Sequence, residues 1–416
     1  MKNVKYYECT ICHKHFDKEL DLMTCPDCGE TGILEIIFDY DYIKTIVSRE
    51  YFQTNKNYNI WRYLPFLTVS DKYTKDTLNV GWTPLYKSKR LKEILKIKKL
   101  YIKDDGQNPT QSLKDRASVI ACLKAIEKGK ETISCSSTGN AASSLAGNAA
   151  KLGLKTVIFV PKRAPVGKLI QLKAFDSDLI KVNGDYKAAF KLSKESIAYY
   201  GWYNRNAAIN PHLVEGKKTV ALEIAEQLGF QPTDWVVVSV GDGCTIAGVY
   251  KGFYDLLQVG LIKKIPKILG VQSEGCAPFV EAFRNNEELK EAEENTIADS
   301  IAVGIPRNPI KAMNAVKNSK GTFIAVKDSE ILSSILLLSK TEGVFAEPAA
   351  AASVAGLQKA LELKIIKESE TATVIVTGNG LKDPQSLLNT ITDWLLLEAD
   401  IDEVKRHIED TKEKKI

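Results

Sequence analysis

The chain has 416 residues, 44% apolar and 26% charged, a composition typical of a globular protein of two or three domains. A net charge of +5 is too small to predict a nucleic-acid-binding surface. No apolar run reaches the roughly 18 residues of a membrane span, and the first residues lack an apolar signal core, so we expect a cytoplasmic protein. With only 4 histidines, a histidine relay or a three-histidine metal site is disfavoured.

The N-terminal segment 1–36 is predicted to form a zinc ribbon. Its cysteines Cys9, Cys12, Cys25 and Cys28 follow the pattern C-x2-C-x12-C-x2-C. Four thiolates satisfy tetrahedral zinc and leave no open position, so the predicted site is structural. A redox pair or a disulfide knot is the alternative, and both fit a cytosolic chain less well.

From about residue 95, β-prone runs alternate with amphipathic stretches. The predicted strands are Lys99–Lys103, Thr132–Cys135, Thr156–Val160, Leu179–Val182, Trp235–Val240, Ile268–Gln272, Thr322–Val326 and Thr373–Thr377. The predicted helices include Lys114–Glu127, Ala141–Leu152, Tyr186–Tyr199, Lys217–Leu228 and Ala349–Leu363. This alternation predicts an α/β protein whose parallel sheets are covered by helices and bind ligands at the carboxyl ends of strands. The charge-dense segment 400–416 is predicted to be a solvated helix or tail.

A polar turn over Asp104–Arg116 ends in Lys114, at the start of an otherwise apolar helix. A lysine is usually a solvated surface cation. Here the positive end of the helix dipole disfavours the charged form. An amine shifted toward neutrality is what Schiff-base chemistry requires, so Lys114 is a candidate nucleophile.

Three small-residue loops occupy strand-to-helix positions: Ser136–Asn140, Gly241–Thr245 and Thr377–Gly380. Such loops present free backbone N–H groups and the positive end of a helix dipole, which bind anions. None has the G-x-G-x-x-G or G-x-x-x-x-G-K-[ST] spacing, which disfavours dinucleotide binding and NTP hydrolysis. Together they indicate a ligand with more than one anionic group.

Five motifs occur in the order of a known family: Asn108-Pro-Thr-Gln-Ser-Leu-Lys-Asp-Arg116, Ser136-Ser-Thr-Gly-Asn-Ala-Ala142, Gly241–Thr245, Glu347-Pro-Ala-Ala-Ala351 and Thr377-Gly-Asn-Gly-Leu-Lys-Asp383. They resemble the pyridoxal-phosphate enzymes of the tryptophan-synthase-β type, called fold type II. Within that group the chain is most similar to the threonine synthases, some of which carry an N-terminal zinc-ribbon-like segment.

The resemblance implies a role for each matched residue. Lys114 would form the internal aldimine with pyridoxal 5'-phosphate and then act as the mobile acid and base. Asn140 would bond the phenolic oxygen of the cofactor, and Ser137 and Thr138, together with Asn140, would bind the substrate. Thr377 would face the pyridine nitrogen, and the cofactor phosphate would lie in a loop formed by Gly241, Asp242, Gly243, Cys244 and Thr245.

The resemblance also implies a two-domain arrangement behind the ribbon. The larger, cofactor-binding domain would comprise 37–116 and 211–398, the smaller α/β domain 117–210, and a charged tail 399–416. The partners would be a small-molecule amino-acid substrate and a second copy of the chain in a homodimer, with no nucleic acid and no membrane.

The substrate side departs from the family pattern. Ala207 and Ala208 replace Asn-Ser, Leu213 replaces Arg, and Asp242 replaces Asn. The loss of hydrogen-bond donors and the gain of a carboxylate disfavour a substrate with a phosphorylated side chain. Arg205 and Lys217, which are near in sequence, are the candidates to compensate for the lost donors. Because the cofactor motifs resemble those of the threonine synthases, the leading hypothesis is nevertheless conversion of O-phosphohomoserine to threonine. One alternative is a β-elimination or β-replacement enzyme acting on an unphosphorylated amino acid, such as a dehydratase, ammonia-lyase or cysteate-synthase-like enzyme. The other alternative is a non-catalytic zinc-ribbon binding protein.

Overall fold

The computed structural model describes residues 1–20, 22–164, 166–388, 390–391 and 395–413. Met1–Asp383 form one compact unit, and Pro384–Ile416 form a second, smaller one. None of the helices in these ranges is both long enough and apolar enough to cross a membrane.

The strands of the described residues run in chain order as follows: β1 Val4–Cys9, β2 His15–Phe16, β3 Leu34–Phe38, β4 Leu85–Lys87, β5 Lys99–Asp104, β6 Thr132–Ser136, β7 Lys155–Pro161, β8 Asp178–Val182, β9 Tyr203–Asn204, β10 Trp235–Ser239, β11 Lys267–Ser273, β12 Thr322–Val326 and β13 Thr371–Val376.

The α-helices are α1 Tyr40–Lys44, α2 Arg49–Thr54, α3 Arg90–Ile94, α4 Lys114–Glu127, α5 Asn140–Lys151, α6 Val166–Ala174, α7 Tyr186–Tyr200, α8 His212–Lys217, α9 Thr219–Gln227, α10 Cys244–Gln258, α11 Pro278–Asn285, α12 Pro309–Asn318, α13 Asp328–Glu342, α14 Pro348–Glu362 and α15 Ile401–Glu413. Short 3-10 turns cover Gly29–Thr31, Ile60–Phe66, Thr74–Asp76, Asp105–Gln107, Asp299–Ile301, Gly380–Lys382 and Pro384–Leu387.

These strands form three sheets. The ribbon sheet has the order β2-β1-β3 and is antiparallel. The largest sheet has the order β12-β11-β10-β13-β5-β4 and is parallel except for the edge strand β4. The third sheet, β8-β7-β6-β9, is parallel throughout. The prediction of an α/β protein with parallel sheets is confirmed.

Strand β10 was predictable because it is apolar on both faces. Every residue of β10, Trp235–Ser239, is buried, as expected for a parallel strand with helices on both sides of its sheet. The predicted helix Lys217–Leu228 is wrong in its bounds, because α8 and α9 are separated at Lys218. The Thr219 hydroxyl donates to the Gly216 carbonyl oxygen at 2.7 Å, a local bond that competes with helix continuation.

The ribbon packs on the body of the protein. Leu34, Ile36 and Phe38 of β3 belong to the same buried cluster as residues of α9, α10 and β10. Glu35 forms ion pairs with Lys311, at 2.7 Å, and with Lys251. The ribbon is therefore attached by both apolar packing and partly buried charges.

In the second unit, the described part of the predicted tail is the exposed helix α15, and residues 414–416 lie outside the described residues. The division of the remaining chain into a larger and a smaller domain stays a prediction.

Candidate active site

A cavity of about 1000 Å³ lies at the carboxyl ends of strands from both parallel sheets. The loops after β6, β10 and β13 line it, together with Lys114 at the start of α4. Carboxyl strand ends are where ligands bind in sheets of this type. All three predicted loops and the predicted lysine thus meet at one cavity.

The residues that follow Lys114 anchor its helix. Asp115 accepts hydrogen bonds from the Thr110 backbone N–H and hydroxyl, both at 2.7 Å, and from Asn148 Nδ2 at 2.8 Å. Arg116 is fully buried and donates to both carboxylate oxygens of Asp105, at 2.7 and 2.8 Å, and to Glu223. This paired network fixes the first turn of α4 and hence the direction of the lysine side chain.

Backbone pairing brings Thr377 next to that turn. The Leu113 N–H donates to the Thr377 carbonyl oxygen at 2.8 Å, and the Asn379 N–H donates to the Gln111 carbonyl oxygen at 3.0 Å. Gln111 adopts a left-handed φ of 65° to make this turn. Two segments more than 250 residues apart in sequence therefore form one wall of the cavity.

The environment of Lys114 favours the neutral amine. Burial lowers its pKa to about 8, and the positive charges of Lys217 and Arg205 act in the same direction. The carboxylate of Glu347 opposes them but does not cancel the effect. A lysine with a lowered pKa is suited to attack an aldehyde and to exchange protons near neutral pH.

The Gly241–Thr245 loop forms a tight turn at the N-terminus of α10. Gly243 has a left-handed φ of 84°, and a Cβ there would lie 2.7 Å from the Asn308 carbonyl oxygen, so both conformation and space require glycine. The Asp242 carboxylate is turned toward Arg307, accepting from its backbone N–H at 3.0 Å and lying 3.9 Å from its guanidinium. The negative charge of Asp242 is thus partly compensated.

Asn140 lies at the start of α5 and points toward α14. Its Nδ2 donates to both carboxylate oxygens of Glu347, at 2.8 and 3.0 Å. Burial raises the pKa of Glu347, while the Asn140 hydrogen bonds and the charge of Lys114 work in the opposite direction. The predicted Ser137 and Thr138 precede Asn140 and line the same cavity.

The four ribbon cysteines form a separate cluster. The sulfur atoms of Cys9, Cys12, Cys25 and Cys28 all lie within 4.8 Å of one another. Tetrahedral zinc with Zn–S bonds of about 2.3 Å places its sulfurs about 3.8 Å apart, so the cluster could hold this metal. None of these cysteines lines the cavity.

Comparison with known proteins agrees with this site. The family described as "Pyridoxal-phosphate dependent enzyme" matches residues 77–378. The chain belongs to this family. It is 39% identical to a threonine synthase of Methanocaldococcus jannaschii, over 96% of this chain and 98% of the relative. It is 36% identical to a threonine synthase of Methanosarcina acetivorans, over 97% and 98% of the two chains.

Solved structures show the same fold. Threonine deaminase isoform 2 from Solanum lycopersicum superposes with a TM-score of 0.66 at 22% identity, covering 81% of this chain and 95% of that chain. Diaminopropionate ammonia lyase from Escherichia coli gives 0.65 at 18% identity, covering 78% and 94%. The predicted threonine synthase-like family, fold type II and the class of pyridoxal-phosphate-dependent lyases are confirmed. The non-catalytic alternative has no support in these comparisons.

Sequence reasoning missed the role of Glu347. Its motif was recognised, but no task was assigned to the carboxylate that holds Asn140. The available signal was an acidic residue directly before the buried helix α14, where a carboxylate needs a specific donor. Arg307 was also missed, because the segment after Gly304 carries no recognisable pattern.

Proposed function

We propose that the protein converts O-phosphohomoserine and water to threonine and phosphate. The observation that supports this most directly is a lysine of lowered pKa, Lys114, in one cavity with the Gly241–Thr245 anion loop, in a chain whose relatives are threonine synthases. Pyridoxal phosphate, when bound, supplies the electron sink for removal of the Cα proton and loss of the side-chain substituent.

The chain's own residues have distinct tasks in this proposal. Lys114 holds the cofactor and moves protons, which its lowered pKa permits. The Gly241–Thr245 loop binds the cofactor phosphate through backbone donors and the α10 dipole. Ser137 and Thr138, together with Asn140, would bind the substrate, and Asn140 would also bond the phenolic oxygen of the cofactor. Thr377 would face the pyridine nitrogen, and its neutral hydroxyl would leave that nitrogen less basic than a carboxylate would.

Two measurements test this proposal. Borohydride reduction of the cofactor-loaded protein, followed by peptide mass mapping, should place the label on Lys114, and Lys114→Ala should be colourless. Phosphate release from O-phosphohomoserine should then accompany threonine formation. Absence of phosphate release from a yellow, folded protein contradicts the proposed substrate.

A second candidate is β-elimination or β-replacement on an unphosphorylated amino acid. It is favoured by the apolar residues at Ala207, Ala208 and Leu213, where the family pattern has hydrogen-bond donors. Assays for ketoacid or ammonia release from serine, threonine and diaminopropionate, run beside the phosphate assay, separate the two functions.

We further propose that the cluster of Cys9, Cys12, Cys25 and Cys28 binds structural zinc. Metal analysis of the purified protein tests this proposal, with about one zinc per chain expected.

We also propose that the protein is a homodimer and that it acts in the cytoplasm. Sedimentation equilibrium tests the homodimer, and a mass of one chain would contradict it. Cell fractionation tests the cytoplasmic location.

A further inference from the structure

Two buried cations face the cavity close to Lys114. Arg205 follows strand β9 and is 2% exposed, and Lys217 ends helix α8 and is 3% exposed. Both line the cavity, and both act electrostatically on the Lys114 amine. They therefore share the cavity that a substrate attached at that position would occupy.

Neither cation has an acidic partner among the described residues. Among the described residues, the Arg205 guanidinium donates only to the Ser118 hydroxyl, from Nε at 3.2 Å and from Nη2 at 3.1 Å. The Lys217 ammonium makes no hydrogen bond or ion pair with the described part of the chain. The adjacent Lys218 contrasts with it, since Lys218 pairs with Glu215 and Asp255 at 2.6 and 2.5 Å. Burying two positive charges without an anion is unfavourable, so the arrangement is complete only when an anion is bound.

Two of the apolar residues near these cations are packed away from the cavity. Leu213 is buried in an apolar cluster with residues of α4 and α5, and Ala208 packs against Ile33 of the ribbon. Neither can contact an anion in the cavity. Asn206, between Arg205 and Ala207, has a buried Nδ2 without a partner and lines the same cavity, which adds an uncharged donor.

We propose that Arg205 and Lys217 form the receptor for the phosphate of the substrate, separate from the Gly241–Thr245 loop that holds the cofactor phosphate. This assignment rests on the proposed function and deepens it. The donors missing at Ala207, Ala208 and Leu213 are replaced by two cations that flank the same segment. The negative charge of the Asp242 carboxylate is partly compensated, since it accepts from the Arg307 backbone N–H at 3.0 Å and lies 3.9 Å from the Arg307 guanidinium.

The test uses the holoenzyme with saturating pyridoxal phosphate and inorganic phosphate as the probe. Lys217→Gln should weaken phosphate binding, measured by calorimetry, by roughly 10- to 100-fold, the effect of a lost charged hydrogen bond. Lys217→Arg should keep binding within about threefold of wild type. Lys187→Gln is the matched control, because Lys187 also lines the cavity but is exposed and paired with Glu291 at 3.1 Å. It should bind phosphate like wild type. Arg205→Gln, if folded, should resemble Lys217→Gln.

The outcomes separate this inference from the proposed function. If Lys217→Gln loses phosphate binding while its affinity for pyridoxal phosphate changes less than about threefold, the receptor is supported, whether or not O-phosphohomoserine is turned over. If phosphate binding is unchanged in Lys217→Gln, the receptor is wrong even when wild type makes threonine. A parallel loss of cofactor affinity would also overturn it, since the cations would then serve the cofactor phosphate.

Discussion

At the scale of single residues, the protonation of Lys114 is set by its neighbours. Burial and the charges of Lys217 and Arg205 lower the pKa of its amine to about 8, against the opposing charge of Glu347. The fraction of neutral amine therefore rises as pH increases through this value. Only the neutral form attacks an aldehyde.

The covalent attachment of pyridoxal phosphate to cofactor-free protein should therefore accelerate with pH and level off above about 8. Lys217→Gln removes a positive charge that lowers the Lys114 pKa, so its midpoint should move to higher pH. Stopped-flow absorbance at a series of pH values measures both midpoints. Lys187→Gln should keep the wild-type midpoint, and equal midpoints in wild type and Lys217→Gln would contradict the prediction.

At the scale of elements, the buried network behind α4 should dominate the local stability. Arg116 is the shared partner of Asp105 and Glu223, and all three are fully buried. Arg116→Met should lower the free energy of unfolding by about 3–5 kcal/mol, because it leaves Asp105 without a cation. Urea denaturation measures the loss. Lys290→Met, which breaks the exposed pair with Glu287, should leave stability nearly unchanged.

The ribbon should matter more for stability than for chemistry. Its four cysteines lie outside the cavity, but its strand β3 contributes to the main buried cluster. Chelation of the proposed zinc, or Cys25→Ser, should therefore lower the melting temperature more than it lowers kcat of the molecules that remain folded. Adding chelator to Cys25→Ser should cause no further shift. Unchanged melting after metal loss would show that zinc is not structural.

Particular elements show which parts of the fold and of the candidate site could be predicted from the sequence. β10 and β12 were predictable to within a residue, because a continuous apolar run bounded by polar residues has a short-range signal. The separation of α8 from α9 was not predictable, since the Thr219–Gly216 hydrogen bond found there leaves no trace in the apolar periodicity. The Asn140–Glu347 pair joins residues 207 positions apart, and no local pattern announces it. The resemblance of the motifs to a known family predicted that the loops meet at one site, which the periodicity of the sequence alone did not predict.

At the scale of the whole molecule, ligand binding and stability are coupled. The cavity is formed by both parallel sheets, so a cofactor bound there favours the native state over the unfolded chain. At 100 times its dissociation constant, pyridoxal phosphate should add about 2.7 kcal/mol to the free energy of unfolding. Thermal denaturation with and without cofactor measures the shift. Lys114→Ala should show a smaller shift of the melting temperature, because only the phosphate loop would then bind the cofactor. A shift equal to that of wild type would mean that the lysine does not contribute to cofactor binding.

The order of the six-stranded sheet has a consequence for biosynthesis. β13, Thr371–Val376, is the last strand of the described chain, yet it lies between β10 and β5 in the middle of the sheet. A nascent polypeptide therefore displays two unsatisfied strand edges until these residues emerge from the ribosome, and such edges invite aggregation. The centre of the sheet cannot close before β13 has been synthesised, so we expect the growing chain to bind chaperones until then.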